Sequence, residues 1–120
     1  MARQVARGDI WLYQFAPPDK TRPVVILTRA SVIPFLDTVT VAPVTSTIRG
    51  LPSEVLVGTD EGLKGPSAIN LDHIQTVPKA RLHQYIGRLD ESKRSALCDS
   101  LSIALGCPSQ WQHGRGSAAL

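Results

Sequence analysis

The chain has 120 residues, a formal net charge of +3 and a pI near 9.2, with 42% hydrophobic and 19% charged residues. This length suits one compact domain with a modest core, and the composition is that of a folded chain. The mild positive charge permits a polyanionic partner without requiring one. The two cysteines are too few for a disulfide framework, and no apolar run approaches the roughly 20 residues of a membrane span. Because the opening stretch MARQVARGD also lacks an apolar signal core, we expect a reduced, cytoplasmic protein.

The first part of the chain predicts three strands. Residues 7–15 (RGDIWLYQF) alternate strand-forming side chains, and residues 23–28 (PVVILT) form a β-branched run typical of a strand covered on both faces. Residues 38–45 alternate Thr with Val until Pro43, which indicates a bend or a bulge. Residues 46–52 have the composition of a loop.

The second part predicts further short strands, which lie at residues 53–58, 67–71, 73–78 and 85–90. Residues 59–66 combine glycines with charges and predict a turn. Short strands at this spacing favour a small barrel or half-barrel. We expect one domain over residues 1–106, followed by a polar, glycine-rich tail at 107–120.

One helix is predicted to begin after Asp90. The aspartate is a suitable N-cap and Glu91 lies in the first turn, while Gly106 and Pro108 mark the end. Apolar residues recur at helical spacing, namely Leu97, Cys98, Leu101, Ala104 and Leu105. We expect this face to pack against the sheet, with Cys98 as a small core residue.

Polar side chains gather at the ends of the predicted strands. They are Asp19, Lys20 and Arg22 before one strand, Thr45, Ser46 and Thr47 after another, and Asn70, Asp72 and His73 around a third. If these strands are neighbours in one sheet, their ends converge. A guanidinium binds phosphate oxygens bidentately and stabilises developing charge, hydroxyls complete the cradle, and a carboxylate or imidazole moves protons. The set therefore fits a phosphodiester site.

Each of these residues also has a purely structural interpretation. Arg22 serves equally well to solvate a strand end, held extended by Pro23. Residues 45–47 (TST) and 72–73 are equally suited to turns. The aromatic pair Trp11 and Tyr13 is more typical of a core or a dimer interface than of base stacking. Since the chain has no P-loop, G-x-G-x-x-G, zinc-ligand set or G-x-S-x-G elbow, the residues alone predict a small mainly-β domain with an anion site.

Four motifs, in order, resemble the MazF/PemK/Kid toxin endoribonucleases of bacterial type II toxin–antitoxin modules. RGDIWL (7–12) resembles the opening strand of that family, and TRPVVILT (21–28) its Arg-Pro-Val signature. VTVAPVTST (39–47) resembles its Val-Pro-Val-Thr-Ser segment, and SAINLDHIQTVPKARL (67–82) its segment ending in Asp-Gln-x-Arg-Thr-Ile and a Lys/Arg-Leu pair. YIGRLDES and the helix after it extend the similarity over roughly residues 5–106. The resemblance implies an SH3-like β-barrel of the PemK/CcdB type with a C-terminal helix, acting as a homodimer.

The resemblance also implies roles for single residues. Arg22 and Thr45 fall on the family's catalytic arginine and threonine, with Ser46 beside the threonine, and Asp72 falls on the acidic residue of the Kid-type site. This sequence departs from the pattern at Asn70, where Kid carries a second active-site arginine.

A second departure is the short loop APPDKT before Arg22, which lacks a longer glutamate-bearing stretch found in many members. The two departures leave three candidates for the base that assists the 2′-OH, namely Asp19, Asp72 and His73.

The activity implied is that of an mRNA interferase, a metal-independent and sequence-specific endoribonuclease without a cofactor. The 2′-OH of single-stranded RNA attacks the adjacent phosphate, and a cognate acidic antitoxin inhibits the enzyme. We expect RNA contacts from Asp19, Lys20, Thr47, Arg49, Lys64, Asn70 and His73. The alternatives are a CcdB-like toxin that binds a topoisomerase without catalysis, and an SH3-like module that docks RNA or protein. Neither binder needs the pair of Arg22 and Thr45.

Overall fold

The computed structural model describes residues 4–17 and 20–107, which form one antiparallel sheet system and a C-terminal helix. The elements are β1 (Asp9–Gln14), β2 (Thr21–Ile26), β3 (Thr38–Thr45), β4 (Glu54–Val57), β5 (Ser67–Asn70), β6 (Gln75–Pro78), β7 (Leu82–Arg88) and α1 (Glu91–Leu105). Short 3-10 turns lie at Ile33–Phe35, Thr59–Glu61, Leu71–His73 and Lys79–Arg81. Each predicted strand is present, although β2 begins two residues earlier than the run 23–28, which adds Thr21 and Arg22, and ends at Ile26.

β3 connects the two halves of the sheet. The strand order is β4-β5-β3-β2-β1-β7, and β6 also pairs with β3. Thr38 to Val41 pair with β6, whereas Val44 and Thr45 pair with β5. Pro43 lies between these two stretches, at the point where β3 changes partner. One long strand thereby curves the sheet toward a barrel, as the fold class predicted from the sequence requires.

The turn that follows β4 packs against β7. Thr59–Glu61 lies against β7, where a Cβ atom added to Gly87 would overlap the carbonyl oxygen of Glu61. Glycine is therefore required at this close approach. The contact brings the segment after β4 over the end of the sheet that also carries the start of β2.

The central strands are covered on both faces, as the run 23–28 predicts. Val25 belongs to one hydrophobic cluster, while Val24 and Ile26 belong to the other, and all three side chains are fully buried. Trp11 and Tyr13 are buried in the second cluster, in agreement with their interpretation as core aromatics. Because both faces are apolar, the register of β2 is set by its pairing with β1 and β3 rather than by a difference between its faces.

The C-terminal helix has the predicted ends. Asp90 is the N-cap, its carboxylate accepting a hydrogen bond from Lys93 N at 2.8 Å, and Gly106 caps the other end.

The helix packs on β4 and on the turn Leu71–His73, and Leu97 is its most buried apolar residue. The prediction that Cys98 and Leu105 lie on the packed face is wrong, because both residues are exposed. One residue after Leu97 corresponds to a rotation of about 100° around the helix, which carries Cys98 off the narrow contact stripe.

Within the described ranges, no helix is long and apolar enough to cross a membrane. Most of the expected tail, residues 108–120, lies outside the described residues. The division into a domain of residues 1–106 and a tail therefore stays a prediction.

Candidate active site

Two cavities meet at the ends of β2 and β3. Their volumes are about 550 Å³ and about 250 Å³, and Arg22, Val44 and Thr45 line both of them. The two strands are neighbours, with Val24 opposite Pro43 at the last pair of their ladder. The two residues expected to act together, a cation and a hydroxyl, thus lie on the wall that the cavities share.

Arg22 is held on a strand that is paired on one side at this point. It lies opposite Tyr13 of β1, while the ladder to β3 begins only at Val24. The missing N–H of Pro23 therefore breaks no bond between β2 and β3. The Arg22 side chain is exposed, and its guanidinium has no hydrogen bond or ion pair with any residue in 4–17 or 20–107. Its donors are free to bind a ligand anion.

Thr45 ends β3 and shapes the loop that follows. Its hydroxyl oxygen accepts a hydrogen bond from Thr47 N at 3.1 Å, which leaves the hydroxyl proton available to donate. Ser46 lines the larger cavity together with Lys64, and Thr47 lines the smaller cavity together with Arg49. The turn at residues 45–47 that the composition predicts thus spreads three hydroxyls over the two cavities.

The larger cavity is mostly apolar away from this wall. Its apolar lining includes Leu12, Pro23, Leu63, Pro66 and Ile86. A nucleobase has large apolar faces, so a cavity of this chemistry next to a phosphate site suits a base.

The smaller cavity is polar and includes Asn70 and His73. Asn70 Oδ1 accepts a hydrogen bond from Asp72 N at 3.0 Å, so its amide nitrogen faces His73 Nδ1 at 3.3 Å. An amide nitrogen only donates, so Nδ1 is the acceptor and the neutral ring carries its proton on Nε2. His73 in this tautomer is a hydrogen-bond donor toward a ligand.

Two of the candidate residues that the structure describes lie outside both cavities. The Asp72 carboxylate lines neither cavity, and its Oδ2 accepts a hydrogen bond from Ser53 Oγ at 2.6 Å. Lys20 is exposed and also lines neither cavity. Asp19 lies outside the described residues. The candidates that share the two cavities are Arg22, Thr45, Ser46, Thr47, Arg49, Lys64, Asn70 and His73.

Glu54 is a site residue that the sequence analysis missed. It lines the smaller cavity, and its carboxylate accepts hydrogen bonds from the backbone N–H groups of Arg49, Gly50 and Leu51. Period-two alternation in β4 places Glu54 on the face opposite to Val55. Its approach to the cavity depends on the pairing of Glu54 with Asn70 across β4 and β5, which the sequence does not specify.

The donors that line the two cavities suit a phosphate. Among the described residues, no group of three or more His, Cys, Asp or Glu side chains is placed to hold a metal ion. Besides the Glu54 carboxylate, the cavities combine the guanidinium of Arg22, the hydroxyls of residues 45–47 and the ring of His73. Donors of this kind bind phosphate oxygens and stabilise negative charge that develops on them.

Comparison with known proteins identifies the family. The sequence of residues 6–105 matches the protein-family model described as the PemK-like, MazF-like toxin of type II toxin–antitoxin systems. Endoribonuclease MazF3 of Mycobacterium tuberculosis is 48% identical over 86 residues, which cover 72% of this chain and 84% of that protein.

Solved structures agree with this assignment. The Mycobacterium tuberculosis toxin MazF-mt6 is 44% identical with a TM-score of 0.76, covering 82% of this chain and 96% of that one. A mycobacterial endoribonuclease in complex with its cognate antitoxin is 25% identical with a TM-score of 0.77, covering 87% of this chain and 97% of that one. The resemblance drawn from the four motifs is confirmed. The chain belongs to the PemK-like, MazF-like toxin family of type II toxin–antitoxin systems.

Proposed function

We propose that the protein is a metal-independent, sequence-specific endoribonuclease that cleaves single-stranded RNA at the wall shared by the two cavities. The observation that carries the proposal is the position of Arg22 and Thr45, which line both cavities while the guanidinium has no partner among the described residues. The name of the 48% identical relative, endoribonuclease MazF3, supports the same activity. A toxin that only binds a topoisomerase needs no such pair.

The reaction is a transesterification within the RNA. The 2′-oxygen gives up its proton to a base or to water and forms a bond to the adjacent phosphorus. The bond from phosphorus to the 5′-oxygen breaks, and that oxygen takes up a proton to become the 5′-hydroxyl. The products carry a 2′,3′-cyclic phosphate and a 5′-hydroxyl. Arg22 binds two phosphate oxygens and stabilises the charge of the phosphorane, and the hydroxyls of Thr45 and Ser46 donate to the same phosphate.

The remaining polar residues bind the RNA on either side of the scissile phosphate. His73 donates from Nε2, in the tautomer that its contact with Asn70 imposes. Arg49 and Lys64 lie in different cavities, and we assign them to neighbouring phosphates. The apolar part of the larger cavity takes a base, and the loops at 46–52 and 59–66, which both contribute to its lining, select the sequence that is cut.

The partners follow from the family and from charge. We propose a cytoplasmic homodimer that is inhibited by a cognate acidic antitoxin. The net charge of +3 and the two arginines in the smaller cavity suit an anionic segment that folds on binding.

Sedimentation of the purified protein at micromolar concentration checks the dimer. Co-expression with the product of the neighbouring gene checks the antitoxin, which should restore growth and co-purify.

The direct test uses a matched pair of RNA oligonucleotides. One is all-ribose, and the other has a single deoxy sugar just 5′ of the scissile phosphate. The protein should cut the first to a cyclic phosphate and a 5′-hydroxyl, and should bind the second without cutting it. Cleavage of the deoxy oligonucleotide at the same bond would overturn the mechanism. Binding of both oligonucleotides without cleavage of either would point to the binding module instead.

A further inference from the structure

The loop between β3 and β4 is folded around one carboxylate. Glu54 Oε1 accepts hydrogen bonds from the backbone N–H groups of Arg49 at 3.1 Å, Gly50 at 2.9 Å and Leu51 at 3.4 Å. Oε2 adds a longer contact of 3.4 Å to Arg49 N. Glu54 N in turn donates to Leu51 O at 3.0 Å, which closes the turn. Three successive N–H groups directed at one acceptor form an anion-binding concavity, and here a side chain of the chain itself fills it.

The conformation of this loop depends on Gly50. Its φ is +73°, in the left-handed region, and a Cβ atom added there would meet nothing within 4 Å. A substitution at Gly50 therefore strains the backbone without a clash. Such a variant disturbs the three successive backbone N–H groups while the Glu54 carboxylate remains present.

The residue whose position the carboxylate fixes most directly is Arg49. Both carboxylate oxygens of Glu54 contact its backbone nitrogen. Its side chain lines the smaller cavity together with Arg22, and the guanidinium has no hydrogen bond or ion pair within the described part of the chain.

We propose that Glu54 is a positioning residue for RNA cleavage, which acts through the loop backbone to hold Arg49 at the smaller cavity, where Arg49 binds the phosphate next to the scissile one. The inference rests on the proposed endoribonuclease function. Because Oε1 is held by three N–H groups of the loop, we assign Glu54 a role through hydrogen-bond geometry.

Two substitutions separate geometry from charge. Glu54→Gln keeps an oxygen in the place of Oε1, which makes all three loop contacts, but removes the negative charge. Glu54→Asp keeps the charge but is shorter by one methylene group, so its carboxylate does not reach the loop. If Glu54 acts by position, the glutamine variant should keep KM within about threefold of wild type, and the aspartate variant should raise KM about 10-fold. A role through charge alone predicts the opposite order.

A double-mutant cycle with Arg49 tests the proposed route. Arg49→Ala is expected to raise KM about 10-fold with little change in kcat, and Glu54→Asp should add almost nothing in the Arg49→Ala background. A merely structural role predicts that the two effects multiply. Glu91→Asp, at an exposed glutamate outside both cavities, is the matched control and should cleave like wild type. Gly50→Ala should reproduce the KM effect of Glu54→Asp.

The measurements are steady-state cleavage of the all-ribose oligonucleotide and fluorescence anisotropy with the deoxy oligonucleotide, on variants with melting temperatures like wild type. An unchanged KM for Glu54→Asp, or multiplicative effects in the double variant, would overturn the inference while wild-type cleavage upholds the proposed function. If wild type binds but does not cut, the proposed function fails. In that case the double-mutant cycle, measured by anisotropy as affinity for the deoxy oligonucleotide, tests the coupling of Glu54 to Arg49 separately.

Discussion

Arg22 stands opposite Thr45 when the register of β2 and β3, which pairs Val24 with Pro43, is continued outward by two residues. Both side chains line both cavities. The guanidinium and the hydroxyl are therefore mounted on adjacent strand ends whose inner residues are fully buried. A site on buried strands holds its donors in place before the RNA binds, so little reorganisation is needed in the transition state.

Removal of the Arg22 guanidinium should cost most of the activity. Arg22→Ala is expected to lower kcat/KM on the order of 10²- to 10³-fold, the usual loss for one preorganised donor. Arg22→Lys should not restore wild-type cleavage, because an ammonium lacks the planar fork that binds two phosphate oxygens. Thr45→Ala should also lose most activity.

The side chain of Arg22 is exposed, so thermal melts of its two variants should match wild type. Full activity of folded Arg22→Ala would contradict the assignment of the phosphate site.

Asn70 should matter less than Arg22. Its amide caps the turn Leu71–His73 and orients the ring of His73. Asn70→Ala is expected to weaken cleavage by about 10-fold or less, equivalent to ~1.4 kcal/mol of transition-state stabilisation. Asn70→Asp should be measured beside Asn70→Ala, because it keeps the acceptor for Asp72 N and loses the donor to His73. A loss as large as that of Arg22→Ala would show that the amide takes part in the chemistry itself.

Cleavage should persist in EDTA. The residues that line the cavities offer cationic and hydroxyl donors to a phosphate, and the described residues bring together no set of three metal-binding side chains. Initial rates of cleavage should be equal with and without the chelator at matched ionic strength, since salt itself weakens phosphate contacts. Loss of activity that added Mg²⁺ restores would contradict the mechanism.

Local periodicity explains how much of the fold was predictable. β3 has the predicted bounds, 38–45, because its Thr-Val alternation and its proline are local features. Cys98 was placed wrongly because its burial depends on which stripe of the helix meets the sheet, and that is decided by tertiary packing.

The site shows the same division. Arg22 and Thr45, which line both cavities, were selected from their motifs, and their roles stay predictions. Glu54 was missed because its place at the smaller cavity depends on the pairing of β4 with β5 and on the left-handed conformation at Gly50. Asp72 matched a motif position, yet its carboxylate accepts from Ser53 and lines neither cavity. A sequence motif specifies the residue type, while the direction of the side chain depends on contacts that are distant in the chain.

The fully buried Asp9 should be a major source of stability. Its carboxylate accepts from Arg88 Nε at 3.0 Å, Trp11 Nε1 at 3.3 Å and Ala6 N at 2.9 Å, which joins β1 to β7. Asp9→Ala should lower the free energy of unfolding by about 3 kcal/mol, because the N–H groups of Trp11 and Ala6 lose their acceptor, whereas the half-exposed Arg88 can be rehydrated. Urea denaturation measures the loss. Asp60→Ala, at an exposed aspartate, is the control, and an equal loss in both variants would contradict this role.

The N-cap of the helix should make stability depend on acid pH. The pKa of Asp90 is lowered from its ordinary value of 3.8, first by the hydrogen bond from Lys93 N and then by that from Ser92 Oγ. Because the folded pKa lies below the unfolded one, the stabilisation is fully present above pH 3.8 and is lost as the pH falls through the folded pKa. Asp90→Asn keeps a capping oxygen without the charge. The gap in unfolding free energy between wild type and Asp90→Asn should therefore narrow between about pH 6 and about pH 2.5 in urea titrations. A gap that stays constant over this interval would show that the charge of Asp90 adds nothing to the cap.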